Sequence, residues 1–332
     1  MKHLILSLLA SGVAIGAVAN EAPLWLRGSA ISPDGSTVAF TYKGDIYTVP
    51  VGGGHATRLT VDSGYDGSPL WSPDGSRIAF SSDRLGSDDI YVMPAKGGTP
   101  LRITTHSGRE TPLAWLDGAQ LLYSSSLQPA VNAAQGPFQS QVYVVDVDKK
   151  NSRPRMYVSL PMTSASVDAA GRVLYGDKKG YEDPLRKHER SSGTSDVWLK
   201  DGDKFTKLTD FNGHDMNPLW GKGDTYYYVT EEDGTLNVWQ NNLAGNAKSQ
   251  LTKFTKHPVR SLSVSDNGTL AFSWDGELYV KRPGAEPVKI NVEISGDDFD
   301  NDMVRRFVNS GATNMAVSPN GEEVAFVLRG DI

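Results

Sequence analysis

The feature that most constrains this chain is a short turn, Ser-Pro-Asp-Gly or a close variant, that returns at intervals of about 40 to 53 residues. It stands as Ser32-Pro33-Asp34-Gly35 and Ser72-Pro73-Asp74-Gly75, loosens to Leu116-Asp117-Gly118, Asp168-Ala169-Ala170-Gly171 and Gly221-Lys222-Gly223-Asp224, and returns as Ser265-Asp266-Asn267-Gly268 and Ser318-Pro319-Asn320-Gly321. Proline presets φ for the turn, Asp caps it with its side chain and Gly accepts positive φ, so each copy joins two strands. An apolar triplet follows most copies, among them Val38-Ala39-Phe40, Ile78-Ala79-Phe80 and Leu270-Ala271-Phe272.

Two further runs complete each unit. The first is β-branched and aromatic, as in Asp45-Ile46-Tyr47-Thr48-Val49, Asp89-Ile90-Tyr91-Val92-Met93 and Asp196-Val197-Trp198-Leu199. The second is short, as in Thr57-Arg58-Leu59-Thr60, Leu101-Arg102-Ile103-Thr104 and Thr206-Lys207-Leu208-Thr209. Four antiparallel strands per unit make a propeller blade, which covers its two faces only by stacking on neighbours. The expected fold is therefore all-β: a six-bladed β-propeller of four-stranded antiparallel blades over residues 22–290, followed by the start of a second propeller. The blades are expected at 22–60, 61–104, 105–161, 162–209, 210–252 and 253–290. An acidic linker over 291–310 precedes residues 311–332, where Val324-Ala325-Phe326 and Gly330-Asp331-Ile332 repeat Val38-Ala39-Phe40 and Gly44-Asp45-Ile46. On this reading the chain stops inside the first blade of that second propeller.

Residues 1–19 read as a signal peptide: Lys2 and His3 precede an apolar run from Leu4 to Val18, and Ala17-Val18-Ala19 offers small residues for cleavage. Export, to a periplasm, is the expectation, with no membrane attachment after cleavage. Lipid attachment through cysteine, disulfides and thiolate metal sites are excluded, because the chain has no Cys. A net charge of −6, with both signs interspersed, gives no reason to expect nucleic acid as a partner.

No residue pattern marks a catalytic centre or a cofactor. A Gly-x-Ser-x-Gly elbow is missing, and the six His show no His-x-x-x-His spacing. Asp298-Phe299-Asp300-Asn301-Asp302 alternates carboxylates but lacks the turn glycine and distal glutamate of a calcium loop, so it reads as solvated linker.

The repeat type at Pro69 to Gly98, the run Ala30-Ile31-Ser32-Pro33-Asp34-Gly35, the insert ending Arg190-Ser191-Ser192-Gly193-Thr194-Ser195-Asp196-Val197-Trp198-Leu199 and a fresh repeat after six units together resemble the amino-terminal part of the tricorn protease family, in its exported bacterial form. The repeats alone also resemble those of TolB and of the prolyl oligopeptidase and dipeptidyl peptidase families. The tricorn resemblance implies a seven-bladed propeller, a PDZ domain and a serine peptidase core of the S41 type farther along, and a parent able to form homo-oligomers. No catalytic residue of that family falls within 1–332.

If the first strand of each unit is innermost, the Ser-Pro-Asp-Gly turns share one face, and the opposite face receives the loops between second and third strands. Both irregular inserts, 124–140 and 176–195, fall on that second face. The residues leading into inner strands, Tyr65, Asp66, Arg109, Glu110, His214, Asp215 and Arg260, are expected there near the channel, with Arg186, His188 and Arg190 of the second insert. Lys178, Lys179 and Lys187 add charge that Glu182, Asp183 and Glu189 largely cancel. Arginines on this face could pair a peptide carboxylate. Trp71, Trp115 and Trp220 are expected to fill the wedges between blades. The functional expectation is a non-catalytic propeller that admits or docks peptides or unfolded polypeptide and contacts downstream domains of its own chain. The alternatives are a TolB-like binding propeller or the regulatory propeller of a prolyl-oligopeptidase-type enzyme.

Overall fold

The computed structural model describes residues 23–126, 140–149, 151–180, 188–295 and 310–328. Within them the chain folds into six four-stranded antiparallel sheets, each built from strands consecutive in sequence. Blade 1 comprises Arg27–Ile31, Thr37–Tyr42, Asp45–Pro50 and Thr57–Arg58; blade 2 comprises Asp66–Trp71, Arg77–Ser82, Asp89–Pro94 and Leu101–Arg102. Blade 3 begins at Glu110–Trp115, blade 4 at Met162–Val167, blade 5 at Asp215–Trp220 and blade 6 at Arg260–Val264. The six-bladed propeller expected from the turn repeat is the fold observed.

The recurring turn behaves as its residues dictate. Gly35 N–H donates to Ser32 O at 2.8 Å, the Asp34 carboxylate accepts from Ser32 Oγ at 2.5 Å and from Ser36 N at 3.0 Å, and Gly35 sits at φ 73°. The copy at Ser72 repeats these bonds, and they hold the Asp74 carboxyl down to about 2. Every inner strand carries one bulge against its neighbour, at Arg27/Ala30, Gly67/Leu70, Pro112/Ala114, Met162/Ser164, Met216/Leu219 and Arg260/Ser263. An extra residue on the inner strand adds twist to the sheet.

Apolar side chains gather in six clusters, one per seam between blades. Ala79, Ile90 and Val92 of blade 2 meet Trp115, Leu121, Tyr123 and Val145 of blade 3. Leu174 and Val197 of blade 4 meet Trp220, Tyr226 and Tyr228 of blade 5. Phe40 and Val49 of blade 1 meet Ala271, Leu278 and Val280 of blade 6, which closes the ring. Trp71, Trp115 and Trp220 lie in these wedges, and the Trp71 indole donates across a seam to Ala30 O at 2.9 Å. Each wedge covers a blade face that would otherwise be wet, which is why no blade is stable singly.

Among the described residues no strand is exchanged between the first and last blades. Instead Val292–Glu293 pairs in parallel with Gly54–His55 at the rim of blade 1, with Gly54 N to Asn291 O and Ala56 N to Glu293 O both at 2.8 Å. Beyond the ring, Ala312–Val317 and Val324–Leu328 form a separate hairpin whose turn, Ser318 to Gly321, repeats the Ser32 geometry. Met315, Val317, Val324 and Phe326 of this hairpin are exposed. The signal peptide expected at 1–19, Arg186, the 298–302 carboxylates and the third strand expected at 330–332 all lie outside the described residues.

Candidate face and buried acid belt

One face of the ring is made of tight turns, the other of longer loops. Second and third strands are joined by two residues in blade 1, between Tyr42 and Asp45, but by 126–140 in blade 3 and 178–196 in blade 4. On this loop face five of the six blades, all but blade 4, are stitched to the one before through the residue that leads the inner strand. Asp66 N–H donates to Gly44 O, Glu110 N–H to Asp88 O, Asp215 N–H to Ser195 O and Val259 N–H to Leu236 O, all at 2.8 Å, while Leu26 N–H reaches Gly276 O at 2.9 Å. These backbone bonds cross five seams and turn the lead side chains inward.

Three lead residues are therefore buried acids: Asp66, Glu110 and Asp215. Their counterparts Leu26, Met162 and Val259 are buried and apolar. The sequence reading expects the three acids near the channel; in the structure all three are buried at the leading ends of the inner strands. His214 is buried with Asp215 and accepts a hydrogen bond at Nδ1 from Ser195 N at 3.3 Å.

The three acids are not treated alike. Asp66 receives two bonds from Arg84 Nη2, at 2.9 and 3.0 Å, and the guanidinium itself stacks over Tyr91 at 4.7 Å and Phe80 at 5.5 Å. Burial pushes the Glu110 carboxyl up to about 7, and the Thr104 hydroxyl and a 3.4 Å contact from Ser125 Oγ offset part of that cost. Burial likewise raises Asp215 to about 6, and the hydroxyls of Thr230 and Thr209 compensate it only in part.

A second acid lies beside each of these, at the start of the preceding blade's third strand. Asp45 is held by Arg58 at 2.6 Å, Asp89 by Arg102 at 2.6 Å, and Asp196 by Lys207 at 2.8 Å and by Lys179. Thr60, Thr104 and Thr209 cap the same strands by accepting from Ile46 N, Ile90 N and Val197 N at 2.8 to 3.0 Å. This Asp–cation–Thr clamp escaped the sequence reading although its signal is present: in blades 1 and 2 the cation follows the acid by 13 residues and the threonine by 15.

The remaining candidates are distributed over the loops. Tyr65 is half-buried, its N–H bonded to Asp83 Oδ1 at 2.6 Å, and its ring covers Gly67. Arg109 is exposed and pairs with Asp88 at 2.8 Å. His188 and Arg190 converge on the buried Glu231 of blade 5, at 3.4 and 2.6 Å, and Arg190 stacks on Phe211 at 4.9 Å. Arg260 leads blade 6 and is half-buried. The second insert is thus pinned to the next blade, a link across 41 residues that no local pattern announces.

Ser195, His214 and Asp215 are neighbours, yet they do not form a nucleophile. Ser195 Oγ donates to Asp177 O at 2.7 Å, and the imidazole receives the backbone N–H rather than the hydroxyl. Among the described residues no group of three or more His, Asp or Glu is arranged to hold a metal ion.

Comparison with known proteins agrees with this architecture. The profile of the Tricorn protease N-terminal beta propeller domain matches residues 23–286. Tricorn protease homolog 1 of Streptomyces coelicolor is 26% identical over 295 residues, which are 86% of this chain and 26% of that protein. The tricorn protease of Thermoplasma volcanium is 30% identical over 166 residues, 49% of this chain and 16% of its own length. Among solved structures, tricorn protease superposes with a TM-score of 0.66 at 22% identity over 92% of this chain and 29% of that one. TolB from Acinetobacter baumannii superposes with a TM-score of 0.56 at 17% identity, over 77% and 60%. The chain spans about a quarter or less of the length of the tricorn relatives named here. A match over most of the ring, joined to six consecutive-strand blades, shows that this chain belongs to the tricorn protease N-terminal β-propeller domain family.

Proposed function

We propose that this propeller is the non-catalytic segment of an exported, tricorn-like serine peptidase and that it admits or docks extended peptides for the rest of that protein. The observation that carries the reading is the asymmetry of the ring. Tight turns occupy one face, and the long loops of blades 3 and 4, with Arg109, His188, Arg190 and Arg260, occupy the other. Loops on a rigid scaffold are where binding groups concentrate. On this reading an axial channel admits an extended chain on steric grounds, and the guanidinium groups of the loop face suit a terminal carboxylate.

The test is binding of unstructured peptides, with a free or an amidated carboxyl terminus, followed by fluorescence anisotropy. Arg109→Ala together with Arg260→Ala should weaken binding of the free-acid peptide about tenfold and leave the amidated peptide nearly unchanged, the loss of one or two charge-assisted bonds. Equal affinity of both variants for both peptides would sink the carboxylate reading. Peptide turnover by the chain itself, abolished by changing one serine, would overturn its non-catalytic assignment. Export is tested separately: expression in a Gram-negative host should yield a periplasmic product lacking residues 1–19, read by mass spectrometry of the amino terminus.

A further inference from the structure

Equivalent positions in three blades hold a buried acid, and only one of the three has a cation of its own. Glu110 Oε2 lacks a hydrogen-bond partner, and so does Oδ1 of Asp89, a charged neighbour across the seam. Asp89 spends its other oxygen on Arg102, at 2.6 Å. The groups that face Glu110 are therefore Asp89, Arg102, Thr104, Ser125 and the Tyr123 hydroxyl. At the second site, both Asp215 oxygens lack partners of ordinary hydrogen-bond geometry. Asp196, already bound to Lys207 and Lys179, faces it from blade 4, with Thr209, Thr230, Tyr226 and Tyr228 around it, Lys248 acting from farther out and His214 adjacent in sequence.

We propose that Glu110 and Asp215 are proton-operated fasteners of the ring: the seams between blades 2 and 3 and between blades 4 and 5 hold tightest with both acids protonated and loosen as they ionise, whereas Asp66 at the seam between blades 1 and 2 has Arg84 as its own cation. A protonated carboxyl at Glu110 is neutral and can donate to the partnerless Asp89 oxygen. The ionised form sets a second anion beside Asp89 with no cation to spare. Asp66 escapes this conflict because Arg84 neutralises it in place. Each fastener sits on the residue whose N–H bridges its seam, to Asp88 O or to Ser195 O, so strain from ionisation falls directly on the bond that joins the blades.

The sign follows from linkage. Folding raises Glu110 from 4.5 to about 7 and Asp215 from 3.8 to about 6, so within those windows the folded chain holds protons the unfolded chain has lost. Stability contributed by the two sites is thus gained as pH falls from above 7 toward 5 and forfeited as pH rises. Most acids paired in the native state act in the opposite direction.

Hydrogen exchange on the full chain, corrected for intrinsic rates, reads the seams individually. Between pH 8.5 and 5.5, amide protection at Glu110 and Asp215 should rise about tenfold, and that at Asp66 should stay level, since a tenfold change corresponds to one unit of pKa difference. In parallel, Tm should rise by about 5 °C over the same interval, and the Glu110→Gln, Asp215→Asn double variant should lose that slope while keeping the high value throughout. The amides reproduce the protonated carboxyls in shape and donor capacity. A slope that survives in the double variant overturns the proposal, as does equal pH response at all three amides; the exchange measurement needs no variant and stands even if the amides impair folding.

Discussion

Seam 1/2 and seam 2/3 are built on one template and solve the same electrostatic problem in different ways. Each brings the clamp acid of one blade, Asp45 or Asp89, against the lead acid of the next, Asp66 or Glu110. At the first seam Arg84 follows the second strand and folds back over Tyr91 onto Asp66, so each acid has its own arginine. In the sequence of blade 3 Leu127 stands two residues past the second strand, where blade 2 has Arg84, and Arg102, the arginine that faces Glu110, stays with Asp89. A template shared by backbone bonds therefore tolerates different charge states, and one side chain in a loop decides which state a seam adopts.

Removing that side chain should have the largest effect. Arg84→Met strands a fully buried carboxylate and should cost about 3–5 kcal/mol at pH 8, read from the urea midpoint. Adding Asp66→Asn should recover most of the loss; failure to do so would mean that packing over Tyr91, not charge, is what Arg84 supplies. The same replacement should also give seam 1/2 the pH response assigned to Glu110, with stability rising as pH falls.

A smaller effect separates Gly64, two residues before the lead acid Asp66, from Gly118 of the turn face. The backbone of Arg84 lies 2.6 Å from where a Gly64 Cβ would stand, whereas nothing approaches Gly118. Gly64→Ala should cost about 1–3 kcal/mol by forcing that loop away from Asp66, and Gly118→Ala should be nearly neutral. Thermal unfolding of the two variants side by side tests whether the glycine is there for close approach.

The smallest change belongs to the turn face. Asp74→Ala removes the acceptor for Ser72 and Ser76 and should cost about 1 kcal/mol or less, since the site is exposed. Its pH signature is opposite to that of Glu110: a carboxyl held below its usual range adds stability above pH 3.8 that is forfeited as pH falls toward 2. Wild-type and variant curves should therefore converge in acid, and parallel curves would show that the carboxylate is not what stabilises the turn.

Blade number, strand order and the identity of the loop face were legible in the chain because they depend on local chemistry. Ser32-Pro33-Asp34-Gly35 makes its turn from bonds within five residues, and Asp45-Ile46-Tyr47-Thr48-Val49 is a strand wherever it is placed. The sequence reading was less informative about the lead acids. Asp66, Glu110 and Asp215 are polar residues that lead inner strands, and the sequence alone places them near the channel. What it leaves out is their burial, which accompanies the bond from each N–H to the previous blade.

What the sequence determined by itself is the repeat: its turn residues, its alternation and its length dictate antiparallel blades that must stack. Tertiary structure decided which acids find a cation, because Arg84 and Asp66 meet by folding back of a loop, and Arg190 and Glu231 meet across a blade boundary. These two pairings depend on distances of a few ångströms between different elements, and unlike the 13-residue spacing of Asp45 to Arg58 and of Asp89 to Arg102 no period in the sequence encodes them.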